Sequence, residues 1–305
     1  NQELYTHVHK QSIRYHIDST LDSHILKDIA NVNKRGGIGC TDNAIAKVLA
    51  HAKKGEFKSA SINTNIWYVF SDPKWMKDDS GTTIRRYISD TDNGLAGLYY
   101  DMAIETLEKA HKHEQDSEEY KKLYTRGTKI MEIYMRLGNC TDKDKILKEA
   151  REELYDKDFL NKLDKNPKLL CCKNGVIDFE NKCFRKGSPE DYVSISTNTN
   201  YRVVDRHNDS AIIADFHKYL QTVFPIPDLL DYAKRHLASL LTGLHDKRQF
   251  LHYYTGKGRN GKSMLVLLME TILGDYAGAL DANFYTTERP KRGQSSPDLV
   301  NIIGK

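Results

Sequence analysis

Long apolar runs are missing from this sequence. No stretch approaches the ~20 residues that cross a bilayer, so no membrane span and no membrane partner are expected. The N-terminus, NQELYTHVHK, lacks the pattern of a secretory signal. It also lacks an initiating methionine, which reads as a fragment of a longer protein. A one-sided charge is missing too. Against 42 acidic residues stand 46 basic ones, and the net +4 is too mild to indicate nucleic-acid binding by itself. Cysteine is sparse, at Cys40, Cys140, Cys171, Cys172 and Cys183. An odd count with a vicinal pair does not suit a disulfide framework and points to a reducing compartment. Cys171, Cys172 and Cys183 do not follow the C-x2-C spacing of zinc sites and read as structural thiols. Internal repeats and low-complexity tracts are absent as well.

What is present suffices for about two domains with real cores in 305 residues. The first sixty residues are mixed and read as a linker or small helical region. Within them, TDNAIAKVLAHAKKG predicts a helix. Thr41 or Asp42 caps it, Ile45, Val48 and Leu49 share a face, and Gly55 ends it. GGIGC at 36–40 reads as an ordinary loop. NIWYVFSDPKWMKDDSGTTIRRYI predicts strand, turn, strand. From Gly94 to Lys165 the period is helical, with one stop at Gly138-Asn139. The lysines and glutamates between these helices are solvated faces, with a DNA track as the alternative. LLCCKNGVIDFENKCFRKG then predicts a β-hairpin turning near Glu180 to Lys182. A domain boundary is placed in the polar connector near Val204 to Asp209. It separates a mainly helical domain, 61–204, from a region 205–305. That region opens with two helices: Ile212, Ile213, Phe216, Leu220 and Val223 form a face in the first, and Leu230, Ala233, Leu237, Leu241 and Leu244 face the core in the second. Asp228 caps the second.

Next comes QFLHYYT, which reads as a buried strand, and then GKGRNGKS. Gly256, Gly261, Lys262 and Ser263 fit G-x-x-x-x-G-K-[ST], the phosphate-binding P-loop. The chemistry asks for these residue types. A polyphosphate needs several backbone N–H groups pointing inward, and side chains would fill that concavity. The helix that follows turns its positive end to the same anion. Lys262 supplies a mobile ammonium to the β and γ phosphates, and Ser263 a hydroxyl to Mg²⁺. Chance produces the pattern in roughly one chain in a hundred of this length. Met264 to Leu273, apolar on nearly every side, predicts a helix buried against a sheet. The fold class is therefore α/β: a mostly helical domain with a small hairpin element, then the start of a P-loop NTPase domain. The P-loop alone does not say what the nucleotide is used for.

The form GxGxNGKS, with Asn260 before the last glycine, resembles superfamily 3 helicases. NIWYVFSDPKWMKDDSG, KNGVIDFENKCFRKGSPEDYV and ILGDYAGAL are similar to successive landmarks of the poxvirus-type primase-helicases, over roughly residues 41 to 305. The resemblance implies an AAA+-like motor that assembles as a homo-hexamer around DNA, preceded by the helical domain. It implies ATP and Mg²⁺ as cofactors. Gly256, Lys257, Gly258, Arg259, Asn260, Gly261, Lys262 and Ser263 become a Walker A site, with Lys262 the catalytic residue on phosphate and Ser263 on the metal. Partners are then DNA, single-stranded or forked and read without sequence preference, and other viral replication proteins. The implied location is a replication site in the host cytoplasm. SSPDLVNIIGK resembles the lead-in to a Walker B strand. No Walker B acid, sensor, arginine finger or primase motif is visible, so hydrolysis is expected of the longer parent and not of this chain alone. TTERPKRGQSSP, with Arg289, Lys291 and Arg292, reads as a solvated loop or as a contact to DNA or a neighbouring subunit. Another P-loop ATPase or kinase, or a non-catalytic assembly module, is the alternative function.

Overall fold

The computed structural model describes residues 2–30, 41–244 and 251–280, with residues 2–5 and 22–30 as backbone only. By contacts the chain divides into two units. One is residues 1–69 with 76–160; the other is 70–75 with 161–305.

The first unit is helical around a small sheet. Helix α1 (Gln2–Ala30) is followed by α2 (Asp42–Ala52), which begins as expected: the Thr41 side chain accepts from the Ala44 N–H. Ile45, Val48 and Leu49 of α2 are fully buried, and Ile13 and Ile17 of α1 join the same core. Strands β1 (Phe57–Ser61), β2 (Ile66–Ser71) and β3 (Lys74–Asp79) form a sheet in that order, with β1 antiparallel to β2. Residues 62–65 make the first turn, so the sheet begins one strand earlier than the strand–turn–strand expectation. Helix α3 (Thr82–Ser89) follows. The buried Asp78 carboxylate accepts from the Thr83 N–H and hydroxyl at 3.0 Å and holds the start of this helix.

Helices α4 (Leu95–Ala110), α5 (Glu118–Gly138) and α6 (Cys140–Glu153) occupy the stretch whose period is helical. The stop at Gly138-Asn139 is where it was expected, because Asn139 caps the next helix by accepting from Thr141 and Asp142. Gly127 lets α5 close on α4: a Cβ there would lie 2.6 Å from Leu107 Cγ. The lysine- and glutamate-rich faces are solvated and laced with ion pairs. Arg126–Asp18 at 2.7 Å and Arg14–Glu105 at 2.9 Å pin α1 to α5 and α4. Exposed pairs of this kind contribute about 1 kcal/mol or less each, so the buried apolar surface carries most of the unit's stability. One short helix, α7 (Phe159–Lys162), follows.

In the second unit the expected hairpin is a three-stranded antiparallel meander, β4 (Leu169–Cys172), β5 (Gly175–Asp178) and β6 (Cys183–Arg185). It turns twice, at Lys173-Asn174 and at 179–182. Asp178 organises the second turn by accepting from the Glu180 and Asn181 N–H groups; Asn181, through its N–H and its side-chain amide, holds the carboxyl below the usual range with help from Arg185. Cys171, Val176 and Val193 form a small core. Helices α8 (Ser210–Val223), α9 (Pro227–Ser239) and α10 (Lys262–Leu273) follow.

Three expectations meet further detail here. By contacts the two units divide near residue 160, whereas the sequence boundary was placed near Val204 to Asp209. Residues 161–204 are tied to later segments instead: the Gly243 N–H donates to Pro167, the Asp275 N–H to Ser196, and the Tyr276 hydroxyl accepts from the Cys171 N–H. In α9 it is Pro227 that opens the helix, since a proline at the first position forfeits no hydrogen bond; Asp228 lies in the first turn without capping. The face expected on α8 is mostly open, with Ile212 66% and Phe216 42% exposed and Leu220 alone buried in that helix. GGIGC, TTERPKRGQSSP and SSPDLVNIIGK lie outside the described residues.

The reading of the cysteines as structural thiols has a chemical test. Among the described residues no group of three metal-ligating side chains gathers. Burial pushes the Cys171 thiol up to about 12 and raises that of Cys172, whereas Cys140 and Cys183 are exposed. The thiolate is the reactive form. In the folded chain at pH 7.5, iodoacetamide is therefore expected to label Cys140 and Cys183 and to spare Cys171 and Cys172, as read by peptide mass spectrometry. Equal labelling of all four would contradict the burial.

Candidate functional site

The GKGRNGKS loop leads directly into α10, and contacts at both ends of that helix set its direction. At the C-terminal end, α10 runs into a single 3-10 turn at Gly274–Tyr276. Asp275 there accepts from Asn198 Nδ2 at 2.8 Å, from the Ser196 N–H at 3.1 Å and from Lys74 Nζ at 3.3 Å. Burial works against the Asp275 carboxylate, but these donors hold its pKa below the ordinary value. Tyr276 packs on the small core of the meander, and its hydroxyl donates to the Ile195 carbonyl. At the N-terminal end, the Tyr219 hydroxyl of α8 donates to the Gly261 carbonyl at 3.0 Å.

Between these anchors the loop folds tightly. Arg259 (φ 63°) and Gly261 (φ 82°) are both left-handed, and such alternation curls a backbone into a concave nest of N–H groups. A Cβ at Gly256 would lie 2.6 Å from Asn260 Nδ2 and 3.2 Å from Lys262 Nζ, so any larger residue there would meet the two side chains that fold back across the loop. Lys262 Nζ donates to Asn260 Oδ1 at 2.6 Å and to the Lys257 carbonyl at 3.5 Å. Gly258 has open space where a Cβ would go, so no protein contact demands a glycine there. The first protein-bonded N–H of the helix is Leu265, donating to Gly261 at 3.0 Å. Among the described residues, no protein acceptor takes the N–H groups of residues 257–264, and none takes the Ser263 hydroxyl. The loop is thus a row of free donors beside one ammonium, at the positive end of a helix.

The segment before the loop departs from expectation. Among the described residues, Leu251 to Thr255 make no β-ladder. A strand is defined by its partner, and this segment runs along α9 instead. His252 stacks on His236 with ring centroids 3.8 Å apart and shares a 2.9 Å hydrogen bond with the Tyr232 hydroxyl. Helix α10 departs too. Only Leu265 is buried, and Met264, Val266, Leu267 and Ile272 are exposed, because no sheet lies against it among the described residues.

The residues that support the 256–263 loop carry no local sequence signal. Tyr219 lies 42 residues before its partner, and nothing in a local pattern marks it. His236 and Tyr232 sit beside the apolar stripe of α9, where their role as a seat for His252 has no periodic signature.

A family model described as "D5 N terminal like" matches residues 46–225. The chain is 32% identical to "Putative helicase L207/L206" of Acanthamoeba polyphaga mimivirus, over 88% of this chain and 27% of that protein. The chain belongs to the D5-like primase-helicase family of large DNA viruses. "Putative helicase 121R" of Invertebrate iridescent virus 3 is also 32% identical, over 55% of this chain and 18% of its own length. "Putative helicase 022R" of Frog virus 3 is 22% identical, over 87% of this chain and 36% of its own. The chain thus spans well under half of these relatives. The family model ends before the loop. The mimivirus match leaves out too few residues to miss it.

The His236–His252 stack gives this region a pH dependence with a definite sign. Burial first, and then the His252 charge, lowers the His236 pKa below 6.5. The folded contact therefore favours neutral His236, is complete above about pH 6.5, and weakens as the pH falls toward the lowered value. Amide exchange at residues 251–255 is expected to speed up between pH 7.5 and 5, after correction for intrinsic rates. His236→Phe should flatten that response. An unchanged response in the variant would remove His236 from the account.

Proposed function

We propose that the 256–263 loop binds the phosphates of ATP and that the longer protein uses the bound nucleotide to separate DNA strands. The supporting observation is the row of backbone N–H groups at 257–264 with no protein acceptor, closed on one side by Lys262. An anion of several oxygens is the ligand that such a row takes at a helix start. Lys262 then leaves the Asn260 carbonyl oxygen for the β and γ phosphates, and Asn260 holds the ammonium in place until it does. Ser263, free of protein partners, offers its hydroxyl to Mg²⁺, and the metal when bound supplies positive charge to the same phosphates. Gly258 leaves room for the polyphosphate to approach the backbone.

The helicase names of the relatives direct this nucleotide chemistry toward DNA. A translocating motor must accept every sequence, so contacts to the phosphate backbone dominate and affinity falls steeply with salt. In the longer protein we place the chain in a ring of six copies around a single-stranded or forked DNA, working with other proteins of viral replication.

Lys262→Ala tests the proposal. In the longer protein it should cut the rate of ATP turnover by about a hundredfold or more, since losing a positive group on the transferring phosphoryl costs on the order of 3 kcal/mol. Far-UV circular dichroism should not change, because the side chain reaches only its own loop. Turnover within about twofold of the wild type would refute the phosphate role.

A further inference from the structure

A second candidate site lies in the first unit, away from the P-loop segment in sequence. A pocket of about 370 Å³ opens between α1, α2, β1 and the end of α6. His16, Lys47, His51, Lys54 and Lys58 line it, against a single carboxylate, Glu153. Phe57 and Tyr155 supply its aromatic wall, and Tyr155 is 44% exposed as a residue.

The cations are not consumed internally. Lys58 meets Asp156 at 3.5 Å, but Lys47 and Lys54 have no carboxylate within ion-pair distance among the described residues. The two imidazoles stack with centroids 4.5 Å apart and planes 14° from parallel. His51 is further fixed by Ser12 at 3.2 Å, and His9 by the Ala52 carbonyl at 3.0 Å. Burial lowers the His51 pKa, and the charges of His16, His9 and Lys54 lower it further. His51 therefore favours its neutral form, and the fixed positive charge of the pocket rests on its lysines. A stacked imidazole pair with flanking lysines suits an anion, and an exposed tyrosine at the rim suits a flat ring next to that anion.

We infer that this pocket holds one phosphate-bearing nucleotide unit of a single-stranded nucleic acid, with its phosphate among Lys47, Lys54 and the His16–His51 pair and its base against Tyr155. The inference rests on the proposed role in DNA unwinding and assigns it a contact surface outside the loop. Lys58 stays paired to Asp156 and sets the far wall. Glu153 is the one group that opposes the ligand, so it limits affinity.

Binding of a fluorescent oligothymidylate to the 305-residue chain tests this by anisotropy, without added nucleotide. Lys47→Ala with Lys54→Ala should weaken binding about tenfold at low salt. It should also reduce the slope of log affinity against log salt by about 1.4, or ~0.7 for each lysine removed from a single-strand phosphate. Lys47→Arg with Lys54→Arg should restore both. Glu153→Gln should tighten binding, an outcome that misfolding does not mimic. Tyr155→Leu should weaken binding and leave the salt slope alone. Wild-type affinity and slope in the double alanine variant would overturn the inference, as would a wild-type chain that does not bind the oligonucleotide. Displacement of the oligonucleotide by an equal nucleotide concentration of thymidine monophosphate would overturn the strand assignment in favour of a free nucleotide. Labelled ATP titrated into the wild-type chain reports on the 256–263 loop separately, so failure of the pocket is distinguished from failure of the proposed function.

Discussion

The candidate loop depends on the anchoring of α10 at its two ends. A run of free N–H donors is useful only if it points in one direction, and an exposed helix with one buried side chain, Leu265, does not fix its own direction. Asp275 and Tyr276 hold the far end on the connector after the meander, through hydrogen bonds of 2.8 to 3.3 Å. Tyr219 holds the near end through the Gly261 carbonyl. The small core of Cys171, Val176 and Val193 is the base for these bonds, which is why a thiol and a valine far from the loop matter to its geometry. Preorganised donors of this kind reach an anion without the cost of ordering a loop at the moment of binding.

The electrostatics of the loop follow from that arrangement. In the protein alone, Lys262 is satisfied by Asn260 and the Lys257 carbonyl, both neutral acceptors. A polyphosphate outcompetes neutral acceptors for an ammonium, so the resting contact positions the lysine without holding it. The backbone donors have no such resting partner. The loop therefore combines a side chain that is parked and a backbone that is open, a division of labour set by the left-handed turns at Arg259 and Gly261.

Much of this was legible in the sequence, and the illegible parts share a cause. The cap at Thr41, the core face of α2, the stop at Gly138-Asn139 and the loop itself rest on local rules: capping, period and glycine spacing. The features that escaped depend on partners distant in the chain. Helix α1 buries only Ile13, Ile17 and Leu21 among its described side chains, too sparse a stripe to stand out among polar neighbours. Strand β1 is short, and its place is decided by pairing with β2. The segment before the loop has the composition of a buried strand, yet His252 and Tyr254 lie against α9, with no ladder partner among the described residues. The apolar surface of α10 was expected to be buried for the same compositional reason. The contact units divide near 160, because bonds from Pro167, Cys171 and Ser196 to residues 243–276 cross the polar connector where the sequence boundary was placed.

The central claim is that backbone donors at 257–264 receive phosphate. The most direct measurement is hydrogen–deuterium exchange of the 305-residue chain with and without Mg·ATP. The account predicts slower exchange concentrated in the peptides spanning 256–265, with the rest of α10 changing little. Unchanged exchange there at saturating nucleotide, or protection confined to other segments, would contradict it.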